Sequence, residues 1–193
     1  MRYLLTGGAG FIGSHLAEFL SKDSENEIHI LDDFCTGNIS NLNGIKSFPN
    51  VKITEGSVLD IDTMYPLVKS VDFIFHLAAA VGVDNVVQNP LHTLQLNIKG
   101  TEIALDLCSE LNKDLMVFST SEVYGKNTNE YFSEEDDRIM GPTSISRWGY
   151  AASKELDEFL SLAYHRERNL GVIIVRLFNT IGIRQSSRYG MVV

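Results

Sequence analysis

Several things are scarce in this chain. Its two cysteines, Cys35 and Cys108, stand far apart in 193 residues, in no CxxC or metal-ligand spacing. That excludes a disulfide-stapled secreted domain and a zinc module, and no metal is expected. Basic residues are outnumbered, 16 Lys and Arg against 25 Asp and Glu, for a formal net charge of −9. The excess repels nucleic acid and anionic lipid, so neither is expected as a partner, and an anionic ligand has to be met by local features. The longest apolar run, Phe73 to Val83, contains His76 and is too short to span a bilayer. The N-terminus shows no long apolar stretch with a cleavage-type sequence, so a reduced, cytoplasmic setting is expected. Internal repeats and low-complexity tracts are absent as well. What is present is 44% hydrophobic and only 21% charged residues, enough to bury a core, which excludes a disordered protein.

Short apolar, β-rich runs alternate with segments of helical spacing. The candidate strands are Tyr3 to Leu5, Ile28 to Leu31, Val51 to Thr54, Phe73 to His76, Leu115 to Phe118 and Val172 to Leu177. A first helix is expected over Ser14 to Ser21. Asn89 and Pro90 open a second, an N-cap residue followed by proline at the first position. Its Leu91, Leu94, Ile98, Leu105 and Leu111 are expected to face a core. A third runs from about Tyr150 to Arg168, with Leu156, Phe159, Leu160 and Ala163 near one face. Continuous apolar strands between helices predict a parallel sheet covered on both sides, a doubly wound α/β (Rossmann) fold. Lys126 to Arg147 reads as a polar loop whose Glu134-Glu135-Asp136-Asp137 run is a solvated surface. The chain ends on Gly190-Met191-Val192-Val193, apolar and without tail-like polarity, as though a further element followed.

Gly8-Ala9-Gly10-Phe11-Ile12-Gly13 follows the first strand and opens the first helix. In that position a GxGxxG pattern makes a tight turn, lets backbone approach a pyrophosphate and lets helix pack on strand. Free N–H groups and the dipole at the helix start then attract phosphates, which lets an acidic protein bind an anion without a basic patch. The second strand ends in Asp32-Asp33, with Asp32 nineteen positions after Gly13. A carboxylate there accepts the adenosine ribose hydroxyls and repels a 2′-phosphate, which favours NAD over NADP. The alternative is a plain tight turn followed by an ordinary strand-end acid.

Tyr150 and Lys154 stand at i and i+4, on one helix face. An ammonium beside a phenol favours the phenolate, which makes Tyr150 a candidate general base; the alternative is a surface pair. Ser119-Thr120-Ser121-Glu122-Val123-Tyr124-Gly125 follows the fifth strand directly, and ligands of doubly wound sheets sit at the carboxyl ends of strands. A hydroxyl and a carboxylate emerging there can face the same ligand as Tyr150, or form a simple turn ending at Gly125.

Gly7 to Gly13, His76-Leu77-Ala78-Ala79, Thr120 to Gly125, the Tyr150/Lys154 pair and Arg176-Leu177-Phe178-Asn179 occur in order. Together they resemble the extended short-chain dehydrogenase/reductase family, in its nucleotide-sugar epimerase/dehydratase branch. The likeness covers essentially the whole chain. Family members continue into a substrate-binding part, so residues 1–193 are expected to be the NAD-binding Rossmann domain, truncated before a substrate domain. Residue by residue, the resemblance places Gly7, Gly10, Phe11, Ile12 and Gly13 at the pyrophosphate turn. It puts Asp32, Asp33, Thr36 and Gly37 around the adenosine ribose, and Ser57 and Val58 at the adenine. Many members have Asp where Ser57 stands. Leu77, Ala78 and Ala79 would line the cofactor, Lys154 would also bind the nicotinamide ribose, and Asn179 matches a sugar-nucleotide contact. Asn97 matches a helix position near the site, where a structural role is an equal candidate.

The resemblance also implies a mechanism. Tyr150 takes the proton of the sugar 4-hydroxyl as C4 is oxidised by NAD⁺, Thr120 binds the same oxygen, and Lys154 holds the phenolate. The 4-keto sugar then rotates to a 4-epimer, loses a C5 carboxylate as carbon dioxide, or loses its 6-hydroxyl after C5 deprotonation. Glucose dehydratases of the branch resemble Thr-Asp-Glu in this turn, and Ser121 stands in place of that Asp. Thr120-Ser121-Glu122 is similar instead to UDP-glucuronate decarboxylases, and also to GDP-mannose dehydratases, where the Glu is a base at C5. UDP-glucuronate decarboxylation is therefore the leading expectation, with a UDP-sugar as substrate and Ser121 among its contacts. Epimerisation and 4,6-dehydration stay open, as do a net reductase and a non-catalytic NAD-binding sensor. Homodimerisation through the Asn89 and Tyr150 helices is implied by the family alone.

Overall fold

A computed structural model describes residues 1–185, apart from the side chains of 83–85. The apolar end at Gly190–Val193, and the 186–191 part of the segment from Arg184, lie outside the described residues. Six strands form one parallel sheet: β1 (Arg2–Thr6), β2 (Glu27–Asp32), β3 (Val51–Glu55), β4 (Phe73–His76), β5 (Asp114–Thr120) and β6 (Val172–Leu177). Their spatial order is β3-β2-β1-β4-β5-β6. Every expected strand is present within two residues of its expected ends. Strand order reverses beside β1, where Tyr3 is in register with Ile28 on one side and Phe73 on the other. Loops diverge at such a switch point and leave a crevice at the carboxyl ends of the strands.

The central strand explains why its sequence is apolar without alternation. Leu4 and Leu5 are both fully buried, and successive side chains point to opposite faces. Leu4 packs with Met64, Val68, Ile74, Leu105 and Leu115. Leu5 joins Ala17, Ile28, Ile30 and Leu42 on the other side. The covering helices are α1 (Phe11–Ser21), α2 (Ile61–Ser70), α3 (Val83–Gln88), α4 (Pro90–Leu111) and α5 (Arg147–Arg168).

Helices α1 and α5 each begin three residues earlier than expected, and α2 and α3 were not anticipated. Interior Pro66 masks α2 in the sequence, because proline removes a helical hydrogen bond. Capping by Asp60, whose carboxylate accepts from the Asp62 N–H, holds the helix start nonetheless. In α4 the core face runs through Leu96, Gly100, Ala104, Leu105, Leu107 and Cys108. Leu91 is 68% exposed, because five residues from Leu96 is a different face of a 3.6-residue helix.

Helix α5 meets the expectation at Leu160, which packs against the core, and departs from it elsewhere. Leu156, Phe159 and Leu162 are exposed, while Ser153, Lys154, Asp157, Glu158 and Ser161 are buried. Burying such groups is unfavourable unless they find partners. They do so here: Asn97 donates to the Ser153 hydroxyl, Lys154 pairs with Asp157, and Glu158 with Arg176. The 126–146 stretch is the expected loop, tied by a parallel bridge from Gly125 to Ile139. In its acidic run Glu134, Glu135 and Asp137 are exposed, and Asp136 organises the turn by accepting from the Asn127 amide and the Ser133 N–H.

Candidate active site

A cleft of about 550 Å³ opens at the carboxyl ends of the strands. Its floor is the turn between β1 and α1. Gly7 has φ of 70°, and a Cβ there would stand 2.9 Å from the Ala78 nitrogen. At Gly13 a Cβ would run into the Gly7 carbonyl oxygen, closer than any side chain tolerates. Only glycine lets this turn press against the chain leaving β4. Gly10 caps α1 without a side-chain hydrogen bond, so the first-turn N–H groups are free of side-chain caps. The turn is roofed from residues 181–185: Gly182 lies against the Phe11 ring, and the Ile183 carbonyl meets the His15 ring. Arg184 is held over the helix by Ser14 and Glu18.

Asp32 sits beside this turn and organises it. Its carboxylate accepts from the Ala9 N–H at 2.8 Å and the Phe34 N–H at 2.9 Å. Burial raises its pKa above the ordinary carboxylate value, and those two N–H bonds oppose the rise. Asp33, exposed, accepts from the Cys35 N–H. Burial and the Asp33 carboxylate push the Cys35 thiol up to about 11, so near neutrality it stays protonated.

The other end of the cleft holds the hydroxyl turn and the tyrosine. Thr120 ends β5, and its hydroxyl accepts from the Glu122 N–H at 3.3 Å, capping a short 3₁₀ turn over Ser121–Tyr124. The same hydroxyl faces the Tyr150 phenol. Burial pushes the Tyr150 phenol up to about 12, the Thr120 hydroxyl works the other way, and the carboxylates of Glu122 and Asp157 raise it further. This corrects the expectation of a phenol lowered by Lys154. The ammonium turns away, onto Asp157 at 2.8 Å. Arg147, one turn before Tyr150, reaches Glu122 at 3.5 Å and stacks on Trp148.

Of the residues singled out from sequence, Gly7, Gly10, Phe11, Ile12, Gly13, Asp32, Asp33, Thr36, Val58, Leu77, Ala78 and Ala79 line the cleft. So do Thr120, Ser121, Glu122, Tyr150 and Asn179. Three do not. Gly37 lies beneath the Asp32 carboxylate, where a Cβ would come within 2.7 Å of Oδ1. Ser57 spends its hydroxyl on the Leu59 N–H, and Lys154 is buried against Asp157. Asn97 takes the structural option: it accepts from the Ala80 N–H and donates to Ser153, pinning the segment after β4 to α5.

Sequence reasoning passed over Arg147, Asp157 and Glu158, and gave Arg176 no role. Their signal was available as charges at helical spacing from Tyr150 and Lys154, on the face opposite Leu156 and Phe159. Reading that apolar stripe as the buried face hid them.

The family model described as GDP-mannose 4,6 dehydratase matches residues 4–192. A UDP-N-acetyl-alpha-D-glucosaminuronate decarboxylase of Bacillus cytotoxicus is 43% identical over 95% of this chain and 56% of its own. UDP-glucuronic acid decarboxylase 6 of Arabidopsis thaliana is 34% identical over all of this chain and 54% of its own. The chain thus spans about half the length of these curated relatives. Among solved structures, the dTDP-glucose 4,6-dehydratase DesIV of Streptomyces venezuelae, with NAD and TYD bound, superposes with a TM-score of 0.86. It is 31% identical, over 96% of this chain and 58% of its own. With the turn, the switch-point cleft and the Tyr150 helix all in place, the chain belongs to the GDP-mannose 4,6 dehydratase family, in the nucleotide-sugar epimerase/dehydratase branch of the extended short-chain dehydrogenases/reductases.

Proposed function

We propose that residues 1–193 form the NAD-binding domain of an enzyme that modifies a nucleotide sugar through a 4-keto intermediate, with decarboxylation of UDP-glucuronate or a close UDP-uronate as the reaction. The donor set fits the cofactor. A turn of glycines and one alanine and an α1 start without a side-chain cap suit a pyrophosphate, with Phe11 and Ile12 supplying backbone N–H groups. Asp32, Asp33 and Thr36 line the cleft beside that turn, which supports their role at the ribose hydroxyls. NAD⁺, when bound, accepts the electron pair of the C4 oxidation and returns it at the end. Tyr150 then receives the 4-hydroxyl proton, and Thr120, which faces that phenol, orients the same oxygen.

The observation that carries the decarboxylase reading is Arg147 on Glu122. Arg147 and Arg184 are the arginines among the described lining residues, and Arg184 is tied to Glu18. Arg147 is therefore the cation near Thr120 and Tyr150 that a substrate carboxylate can engage, by displacing Glu122. The ketone that Tyr150 helps to form is β to that carboxylate, so carbon dioxide can leave. The test is mass spectrometry of UDP-glucuronate, its 2-acetamido counterpart, UDP-glucose and dTDP-glucose, each incubated with the NAD⁺-loaded protein. Loss of carbon dioxide from a uronate is expected. Loss of water from a neutral sugar, or an unchanged mass with a shifted chromatographic peak, would replace this reading with a dehydratase or an epimerase.

Two further points belong to the same reading. Leu91 on α4 and Leu156, Phe159 and Leu162 on α5 are exposed, which supports a homodimer formed through these helices. Gly13→Ala is expected to weaken NAD⁺ binding more than tenfold and to destabilise the fold by about 1–3 kcal/mol, since the new methyl meets backbone that cannot yield. Cofactor titration by intrinsic fluorescence, with a thermal melt, checks both. Affinity within twofold of wild type would remove the turn from the cofactor site.

A further inference from the structure

Lys154 and Asp157, about one and two helical turns after the tyrosine, form a buried ion pair. Their side chains are 3% and 0% exposed, and Nζ stands 2.8 Å from Oδ2. Two charges held out of water are costly, and an apolar pair of similar volume is often equally stable there. Packing alone therefore gives no reason for this choice. The carboxylate is also only half satisfied: Asp157 Oδ1 has no hydrogen-bond partner among the described residues. Buried polar atoms in folded proteins are paired in about nine cases of ten, so an orphan on the residue that holds the lysine invites a functional account.

The surroundings limit what else Lys154 can do. Thr101 of α4 faces the Asp157 carboxylate. His76, at the end of β4, is fully buried between the hydroxyls of Thr6 and Thr101. Burial and the Lys154 charge hold that imidazole down at about 3, so it is neutral and offers the ammonium no counter-charge. Glu122 faces Tyr150 from the turn after β5 but is paired with Arg147. Among these titratable and charged groups of β4, β5, the turn and α5, Asp157 is the one that meets Lys154.

We propose that Asp157 is a positioning residue: it holds the Lys154 ammonium in a neutral buried pair, withholding its charge from Tyr150 until a ligand in the cleft draws it away. Lysine suits this role, being a point charge on a flexible four-carbon stem. The consequence is a base that stays protonated in the empty site and is armed by cofactor. The inference rests on the reading of Tyr150 as general base. Its test does not need turnover.

Ionisation of Tyr150 is followed by the ultraviolet tyrosinate difference across a titration to high pH, with Tyr150→Phe subtracted. Asp157→Asn, which keeps the shape and removes the charge, should raise the ionised fraction at a given pH about tenfold, so that the whole titration curve moves about 1 pH unit toward neutrality. Without cofactor Lys154→Met should move the curve much less than Asp157→Asn does, because the ammonium is already held by the pair and the lone Asp157 carboxyl takes up a proton in its buried site. The double variant should return to the Lys154→Met curve. With NAD⁺ bound, Lys154→Met should instead lower the ionised fraction about tenfold relative to wild type. An unshifted Asp157→Asn curve overturns the proposal, and so does an equal shift in the Lys154→Met background. Silence of Lys154→Met with NAD⁺ bound removes the release step and overturns it as well. Should Asp157→Asn fail to fold, Lys154→Met alone decides: a tenfold change in its ionised fraction without cofactor shows that the ammonium already acts on Tyr150. Full turnover by Tyr150→Phe would defeat the base assignment instead, leaving these titration outcomes as they are.

Discussion

Tyr150→Phe should reduce turnover of the nucleotide sugar by about 10²–10⁴-fold, the range of a lost general acid–base group, while NAD⁺ binding stays within a few-fold of wild type. The phenylalanine ring keeps the packing of α5 and removes only the hydroxyl that Thr120 faces. Burial pushes the phenol up to about 12 without cofactor, so it is protonated at neutral pH. A working base has to come down from there, by loss of the Asp157 hold on Lys154 and by the positive charge of an oxidised nicotinamide. kcat/KM should therefore rise with pH toward the lowered pKa of the loaded enzyme, since the free-base form does the work. Steady-state kinetics and a cofactor titration on the same preparations check both halves. Wild-type turnover in the Phe variant would leave a binding module or another base in its place, and lost cofactor binding would mean that the ring packing, not the proton, was disturbed.

The largest effect on stability is expected from Glu158→Ala, a loss of about 3–5 kcal/mol, the usual result of removing one partner from a buried pair. Arg176 donates to this carboxylate through Nε at 3.0 Å and Nη2 at 2.7 Å, and the Ser119 hydroxyl donates to it as well. The arginine lies over the Tyr124 ring, 4.8 Å from its centroid, and the carboxylate holds its pKa above the ordinary value. Without Glu158 the guanidinium, only 10% exposed in its side chain, would keep its charge with no counter-ion. Its Nη1 already lacks a partner among the described residues. In a chain of this size the loss should lower Tm by roughly 6–20 °C. Glu158→Met combined with Arg176→Met should recover most of it, because both charges then leave together. Thermal melts of the single and double variants decide the matter, and a single variant within about 1 kcal/mol of wild type would show that the pair is solvated or replaceable.

Both predictions concern α5, the element whose buried face was hardest to read. An apolar stripe of Leu156, Phe159, Leu160 and Ala163 ordinarily marks a core, but beside Leu160, β5, β6 and α4 offer this helix Ser119, Arg176 and Asn97. Those partners come from three separate parts of the chain. No local pattern announces them. Asp32 shows the same limit at the other end of the cleft: its place after β2 was legible, whereas its bonds to the Ala9 and Phe34 N–H groups depend on two loops meeting.

The sequence by itself determined the six strands, their parallel covered sheet and the position of the glycine turn. These follow from properties carried along the chain: runs of apolar residues, the period of the helices between them, and a backbone conformation that glycine alone permits. It also placed the Thr120 turn and Tyr150 at one end of the sheet, because strand ends gather there in this topology. Only the tertiary structure decided which charges meet: Lys154 with Asp157 rather than with Tyr150, Glu158 with Arg176, and Arg147 with Glu122 in the cleft. Charge pairing depends on distances of a few ångströms between elements far apart in sequence, and desolvation then sets the proton affinity of each group. Neither quantity exists until the chain is folded.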